Sequence, residues 1–151
     1  MIQNSKGLTL IELLAAVSLS AIILLLAYQF LFQGFQFSKT VTDKTLLQQE
    51  ANYIMVNLTK IHQSSDSYTI AFDQNPNANY IKVEGKKTIT FKNDHFFYEL
   101  KTSTSNNSKI YTKNKETFYP KLTDVSIELT IYNKKNPKLS YSSKTILSRI
   151  K

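Results

Sequence analysis

Lys6-Gly7-Leu8-Thr9-Leu10-Ile11-Glu12-Leu13-Leu14 opens an apolar run, and after Glu12 no charged residue follows until Lys39. The richest part, residues 13–32, is about 20 residues long. As an α-helix rising about 1.5 Å per residue, that is enough to cross a hydrocarbon core about 30 Å thick. Ser18, Ser20, Tyr28 and Gln29 dilute the run without breaking it. Their polar groups can bond back onto the helix or across to neighbouring helices. A cleaved secretory signal fits poorly, because its apolar region spans only about 7–15 residues and ends in a small-x-small site. Here Ala27 has Leu25 two positions before it. A plain membrane anchor fits the apolar run but leaves Glu12 unexplained. A carboxylate costs about 2.5–3.5 kcal/mol at the centre of a bilayer, and less near its edge. Lys6 favours an N-terminus on the inner side.

Glycine after a basic residue, an apolar run and an acid embedded at its start occur together over Lys6-Gly7-Leu8-Thr9-Leu10-Ile11-Glu12. This stretch resembles the processing signal of type IV prepilins and pseudopilins. The likeness is tight over residues 6–26 and only architectural beyond them. It departs in one place: the family's first mature residue is usually Phe, and Leu8, an accepted substitute, stands here. The resemblance implies a leader over residues 1–7, cut by a prepilin peptidase at the Gly7–Leu8 bond on the cytoplasmic side. It implies N-methylation of the new Leu8 amine. It also implies that Glu12 neutralises the Leu8 amine of an adjacent subunit, in keeping with the rule that a buried carboxylate is tolerated when it meets a cation. The partners implied are other pilin subunits, met through the N-terminal helix, the prepilin peptidase and a membrane assembly platform. The place implied is the cytoplasmic membrane, crossed once with the N-terminus inside, and then a surface filament.

Working outward, the helical period continues past the apolar run. Leu47, Ala51, Ile54, Met55, Leu58 and Ile61 recur every three or four residues, with Lys44, Gln48, Gln49, Asn52, Asn57 and Lys60 on the other face. No proline interrupts residues 8–62. One helix of about 55 residues would be about 80 Å long. Gly34 or residues 38–45 are the places for a bend. A coiled coil is the competing reading, weakened by the lack of a sustained heptad.

Ser64-Ser65-Asp66-Ser67 ends the helix, and the period then changes to two. Tyr68-Thr69-Ile70-Ala71-Phe72 alternates. Tyr80-Ile81-Lys82-Val83 and Thr88-Ile89-Thr90-Phe91 flank Glu84-Gly85-Lys86-Lys87 as a hairpin. Phe96-Phe97-Tyr98-Glu99-Leu100 and Lys109-Ile110-Tyr111-Thr112 read as strands, with residues 102–108 as a polar loop. In the strand over residues 125–132, Val125, Ile127, Leu129 and Ile131 face inward. Asn133-Lys134-Lys135-Asn136-Pro137 turns it into a strand over residues 139–150. The expected fold is α+β: a long N-terminal helix, transmembrane then amphipathic, packed on an antiparallel β-sheet head of five to seven strands. The expected divisions are a leader at 1–7, a transmembrane and assembly segment at 8–37, an amphipathic continuation at 38–63 and a β head at 64–151.

Little in the 151 residues points to catalysis. His62 and His95 are the only imidazoles and neither has a local nucleophile or ligand partner, so both are expected at the surface or in loops. No nucleotide, hydrolase or metalloprotease fingerprint occurs. The chain is therefore expected not to be an enzyme, and to need no cofactor. With no cysteine there is neither a disulfide nor a thiolate metal site. Asp73-Gln74-Asn75-Pro76-Asn77-Ala78-Asn79, with Glu84 at the twelfth position, imitates part of a calcium loop. Ala78 stands where the turn needs glycine, and Pro76 stiffens the segment, so turn chemistry accounts for it and no metal is expected.

The net charge is +8, and residues 65–151 carry +7 of it, from 15 basic and 8 acidic side chains. Lys82, Lys86, Lys87 and Lys92 gather on one expected hairpin, and Lys134, Lys135 and Lys138 on another. Lysines beside aromatics can meet phosphates and stack bases, which makes DNA or another polyanion a further partner. The plain reading is a solvated, soluble surface. Three functions follow. The first is a minor pilin in a filament of the Gram-positive competence or type IV pilus kind, to which the late long hairpin and the 144-residue mature length (151 minus 7) point. The second is a type II secretion pseudopilin. The third is a membrane-anchored basic module that holds DNA or cell-wall polymer.

Overall fold

A computed structural model describes residues 9–73, 79–104, 107–111 and 115–149. The elements are α1 (Leu10–Ser64), β1 (Tyr68–Asp73), β2 (Tyr80–Glu84), β3 (Thr88–Phe91), β4 (Phe96–Thr104), β5 (Asn107–Tyr111), β6 (Lys115–Phe118), β7 (Val125–Asn133) and β8 (Asn136–Leu147). The α+β expectation holds, with one long helix and antiparallel strands. Neither Gly34 nor residues 38–45 breaks the helix, whose 55 residues run through both. Without a proline, each turn keeps its i→i−4 bonds. The chain divides between Val41 and Thr42 into two compact units.

In the first unit the described side chains of residues 10–41 are exposed. Ser18 and Ser20 donate their hydroxyl protons to Leu14 O and Ala16 O, each at 2.8 Å, so neither hydroxyl is left unsatisfied on the apolar surface.

In the second unit the helix buries Leu47, Ala51, Ile54, Met55, Leu58 and His62. The first five belong to the expected stripe. Each large apolar side chain among them contributes about 1.5–3 kcal/mol by leaving water. The strands form two sheets instead of one, ordered β3-β2-β1-β6 and β5-β4-β7-β8, all pairs antiparallel. Both contribute to a single apolar core with the helix. Tyr53 meets Phe91 edge-on at 5.8 Å in the first sheet, and Tyr98 of the second donates its hydroxyl proton to Glu50 Oε1 at 2.7 Å. Burial raises the pKa of Tyr98, and its bond to the Glu50 carboxylate raises it further. Along β7, Val125, Ile127, Leu129 and Ile131 are wholly buried, as their alternation requires.

Three expectations need correction. Eight strands are described, not five to seven. β6 was missed because Lys115-Glu116-Thr117-Phe118 is short and charged; it is held by pairing with Tyr68, Thr69, Ile70 and Ala71. The expected loop over residues 102–108 is strand where it is described, at 102–104 and 107–108. Thr102, Ser103 and Thr104 extend β4 opposite Ile127, Ser126 and Val125, and β5 returns as a hairpin. Thr102 is buried, its hydroxyl donating to Glu116 Oε2 at 2.8 Å. Finally, β8 runs over residues 136–147, not 139–150. It is an edge strand, where Pro137 costs no ladder bond.

Besides the Thr102–Glu116 bond between β4 and β6, a buried amide links the two sheets. Asn79, which stands just before β2 and is buried, receives the Tyr98 N–H on Oδ1 at 2.6 Å and donates Nδ2 to Tyr98 O at 3.0 Å. On that side of β4 the neighbour β5 pairs only with Thr102 and Thr104. The Asn79 amide takes the place of a strand where β5 does not reach.

Candidate functional site

The helix begins with a built structure. Thr9 precedes Leu10, and its carbonyl accepts the Leu13 N–H at 3.1 Å. Glu12 folds back so that Oε2 accepts from Thr9 N at 2.9 Å and from Thr9 Oγ1 at 2.8 Å, while Glu12 N donates to Thr9 Oγ1 at 3.4 Å. This is a capping box, threonine at the N-cap and glutamate three residues on. It satisfies backbone donors that have no partner within the helix and that hydrocarbon could not satisfy. Both bonds fall on Oε2, and Oε1 has no partner among the described residues. A cation arriving there would meet a carboxylate already held in place. The pattern was legible as Thr9-x-x-Glu12, but the sequence reading weighed Glu12 by its charge alone.

Beyond it, Leu10, Ile11, Leu24, Phe30, Phe35 and Phe37 are each at least 70% exposed. A continuous apolar surface of that extent marks a face for lipid or for other chains. By length and composition α1 can cross a membrane.

Residues 2–28 match the family model described as the prokaryotic N-terminal methylation motif. The chain is type IV pilin-like. No curated protein and no solved structure matches it. The motif covers Gly7, Leu8, Thr9 and Glu12; it supports a precursor of the type IV pilin or pseudopilin kind, and implies processing by a prepilin peptidase and assembly with other pilins. The methylation motif and the apolar helix agree with a membrane-anchored pilin, and pilin-type families are structural. Gly7 and Leu8 lie outside the described residues.

Elsewhere, the structure separates the lysines that the sequence grouped. Lys82 bonds Glu84 at 2.7 Å, and Lys115 reaches the same carboxylate at 3.3 Å. The bond from Lys82 lowers the pKa of Glu84, and Lys82 is raised in return. Lys86 and Lys87 are exposed in the β2–β3 turn, near Ser65 and Tyr68, since a Cβ on Gly85 would lie 3.3 Å from Tyr68 Cβ. Lys134, Lys135 and Lys138 are exposed at the β7–β8 turn, toward the other end of both sheets. Of the calcium-like stretch, residues 74–78 lie outside the described residues. Asn79 is spent on Tyr98 and Glu84 on two lysines. On the outer face of the second sheet, Lys101, Thr102, Ser103, Ser126, Glu128 and Lys144 line an open cleft of about 180 Å³.

His95 is exposed, as expected, but His62 is not. It is 0% exposed, with Nδ1 2.9 Å from the Tyr68 hydroxyl and Nε2 without a hydrogen-bond partner among the described residues. Burial lowers its pKa; Asp124 opposes this shift and Arg149 adds to it. The expectation of a surface histidine overlooked that 51, 55, 58 and 62 continue the buried stripe at helical spacing. Close by, Asp66 accepts from Lys121 at 2.9 Å and Arg149 at 3.4 Å, which lowers its pKa.

Proposed function

We propose that the chain is a minor pilin subunit. A prepilin peptidase cuts after Gly7, the Leu8 amine is methylated, and the apolar part of α1 packs among other subunits in a filament. Glu12 carries the reading. It is the one charged side chain in residues 9–38, and its capped carboxylate has an oxygen to spare for the Leu8 amine of a neighbour. In an apolar surround the two charges offset each other's desolvation, whereas either alone is strongly unfavourable. The N-terminus lies inside, and the head emerges on the far side of the membrane. The cysteine-free, lysine-rich head supports a Gram-positive competence or type IV pilus setting, with DNA as a further partner and a membrane platform as the assembly machine. Intact-mass measurement of the protein from membranes of a host with the peptidase tests the first step. The expected species begins at methylated Leu8; a mature N-terminus at any other residue overturns the reading.

A further inference from the structure

The two exposed lysine tips are not equivalent. In the second sheet, Arg149, just past β8, donates Nη1 to Ser65 O at 3.1 Å, so this end of the sheet lies at the C-terminus of α1. Tyr98 lies at Glu50. Glu50 and Ser65 are 15 residues apart (65 minus 50), about 22 Å of helix. Continuing past Tyr98 away from Ser65, β4 begins at Phe96 opposite Asn133, and the β7–β8 turn follows. That turn therefore sits at the end of the head where the helix begins, near Thr42. The β3–β4 turn joins it there, because Lys134 N donates to His95 O at 2.9 Å. Lys92, His95, Lys134, Lys135 and Lys138 are all exposed, with one carboxylate, Asp94, among them. None of these lysines has an ion-pair partner among the described residues, whereas Lys82 and Lys115 at the first sheet and Lys121 and Arg149 at Asp66 are paired.

We infer that this basic rim binds the anionic headgroups of the leaflet on the head's own side of the membrane, while the subunit waits there as a monomer. The inference rests on the reading of α1 as a membrane span. Chain length supplies the proximity. Thr42 comes five positions after Phe37, the last of the apolar run, so the head begins no more than about 18 Å of extended chain from the bilayer. Charge supplies the affinity: clustered lysines next to a span are attracted to anionic lipid within a Debye length, and each adds to the binding. Lys86 and Lys87, at the other end of the head, do not share this position.

The test uses the full chain in vesicles of phosphatidylcholine, with or without phosphatidylglycerol, neither of which carries a primary amine. Flotation first establishes that the chain inserts. Amine-labelling rates are then read lysine by lysine with mass spectrometry at about 0.1 M and about 0.5 M salt. The expected result is that Lys134, Lys135 and Lys138 label at least about threefold more slowly in phosphatidylglycerol vesicles at low salt. High salt should abolish the difference, and Lys86 and Lys87 should not change. Replacing all three by Glu (K134E, K135E, K138E) should remove the protection of Lys92, with the circular dichroism spectrum unchanged. Equal rates in the two vesicles, or equal protection at Lys86 and Lys87, overturn the inference. Protection of the three by an added oligonucleotide but not by phosphatidylglycerol makes the rim a nucleic-acid face instead and overturns it too. A chain that fails to float refutes the membrane span itself, and the lipid contact with it; a chain that floats with unprotected lysines refutes the lipid contact alone.

Discussion

Asn79→Ala removes both bonds that the Asn79 amide makes to β4 of the second sheet. Tyr98 N–H and Tyr98 O, at 2.6 and 3.0 Å from the Asn79 amide, would be left in a buried setting with their partner gone. Leaving a buried polar group unsatisfied costs about 1–3 kcal/mol, so two such groups give about 2–4 kcal/mol once some water entry is allowed for. In a head of this size each kcal/mol moves the midpoint of thermal unfolding by about 5 °C, so a fall of about 10–20 °C is expected. Asn79→Asp separates the two bonds. Its Oδ1 can still accept the Tyr98 N–H, but a carboxylate oxygen now faces Tyr98 O. At neutral pH it should cost at least as much as Ala. Burial and the facing carbonyl raise the folded-state pKa of the new acid, so the deficit should shrink as the pH falls from neutrality and be largely gone by about pH 4, where the acid has a proton to donate. Thermal and urea unfolding of the protein in detergent, followed by near-ultraviolet circular dichroism of the tyrosines, measures both. A loss below about 1 kcal/mol for Ala, or an Asp variant as stable as wild type at pH 7, would refute the bridging role.

Glu12→Gln should insert and be processed normally but enter sheared filaments poorly. Because Gln also completes a capping box, such a loss cannot be ascribed to a frayed helix start; wild-type incorporation would sink the charge pairing. Gly7→Val should leave the leader attached, seen as the unprocessed mass, because a side chain there keeps the backbone from the peptidase. The His62 pKa lies below the ordinary 6.5 of an imidazole, so the unfolded chain takes up a proton before the folded one does. Head stability should be fully present above about pH 6.5 and fall as the pH drops below it, with the decline flattened in His62→Leu relative to wild type. The fragment over residues 42–151 should be soluble and give a mixed helix and sheet spectrum; an all-helical one would contradict the fold.

Residues 6–37 could be read locally because their meaning is local. An apolar run long enough for a bilayer, a glycine before it and an acid at its lip need no distant partner to be recognised. The stripe from Leu47 to Leu58 and the alternation of Val125, Ile127, Leu129 and Ile131 were legible for the same reason: periodicity alone tells which face is buried. Even the capping of Glu12 by Thr9 and the burial of His62 were written in spacings of three and four. What required the tertiary structure was every contact between residues far apart in the chain. The hairpins predicted from turns could not say that the strands divide into two sheets. Nor could they say that the polar tail of β4 would be held by β7, or that Asn79 would stand in for a strand beside Tyr98. The lysines make the same point. In the sequence Lys86 and Lys134 belong to two similar basic turns. Only the direction of the strands against α1 places one at its C-terminal end and the other toward Thr42, because long-range pairing, not local composition, decides where a hairpin tip lies.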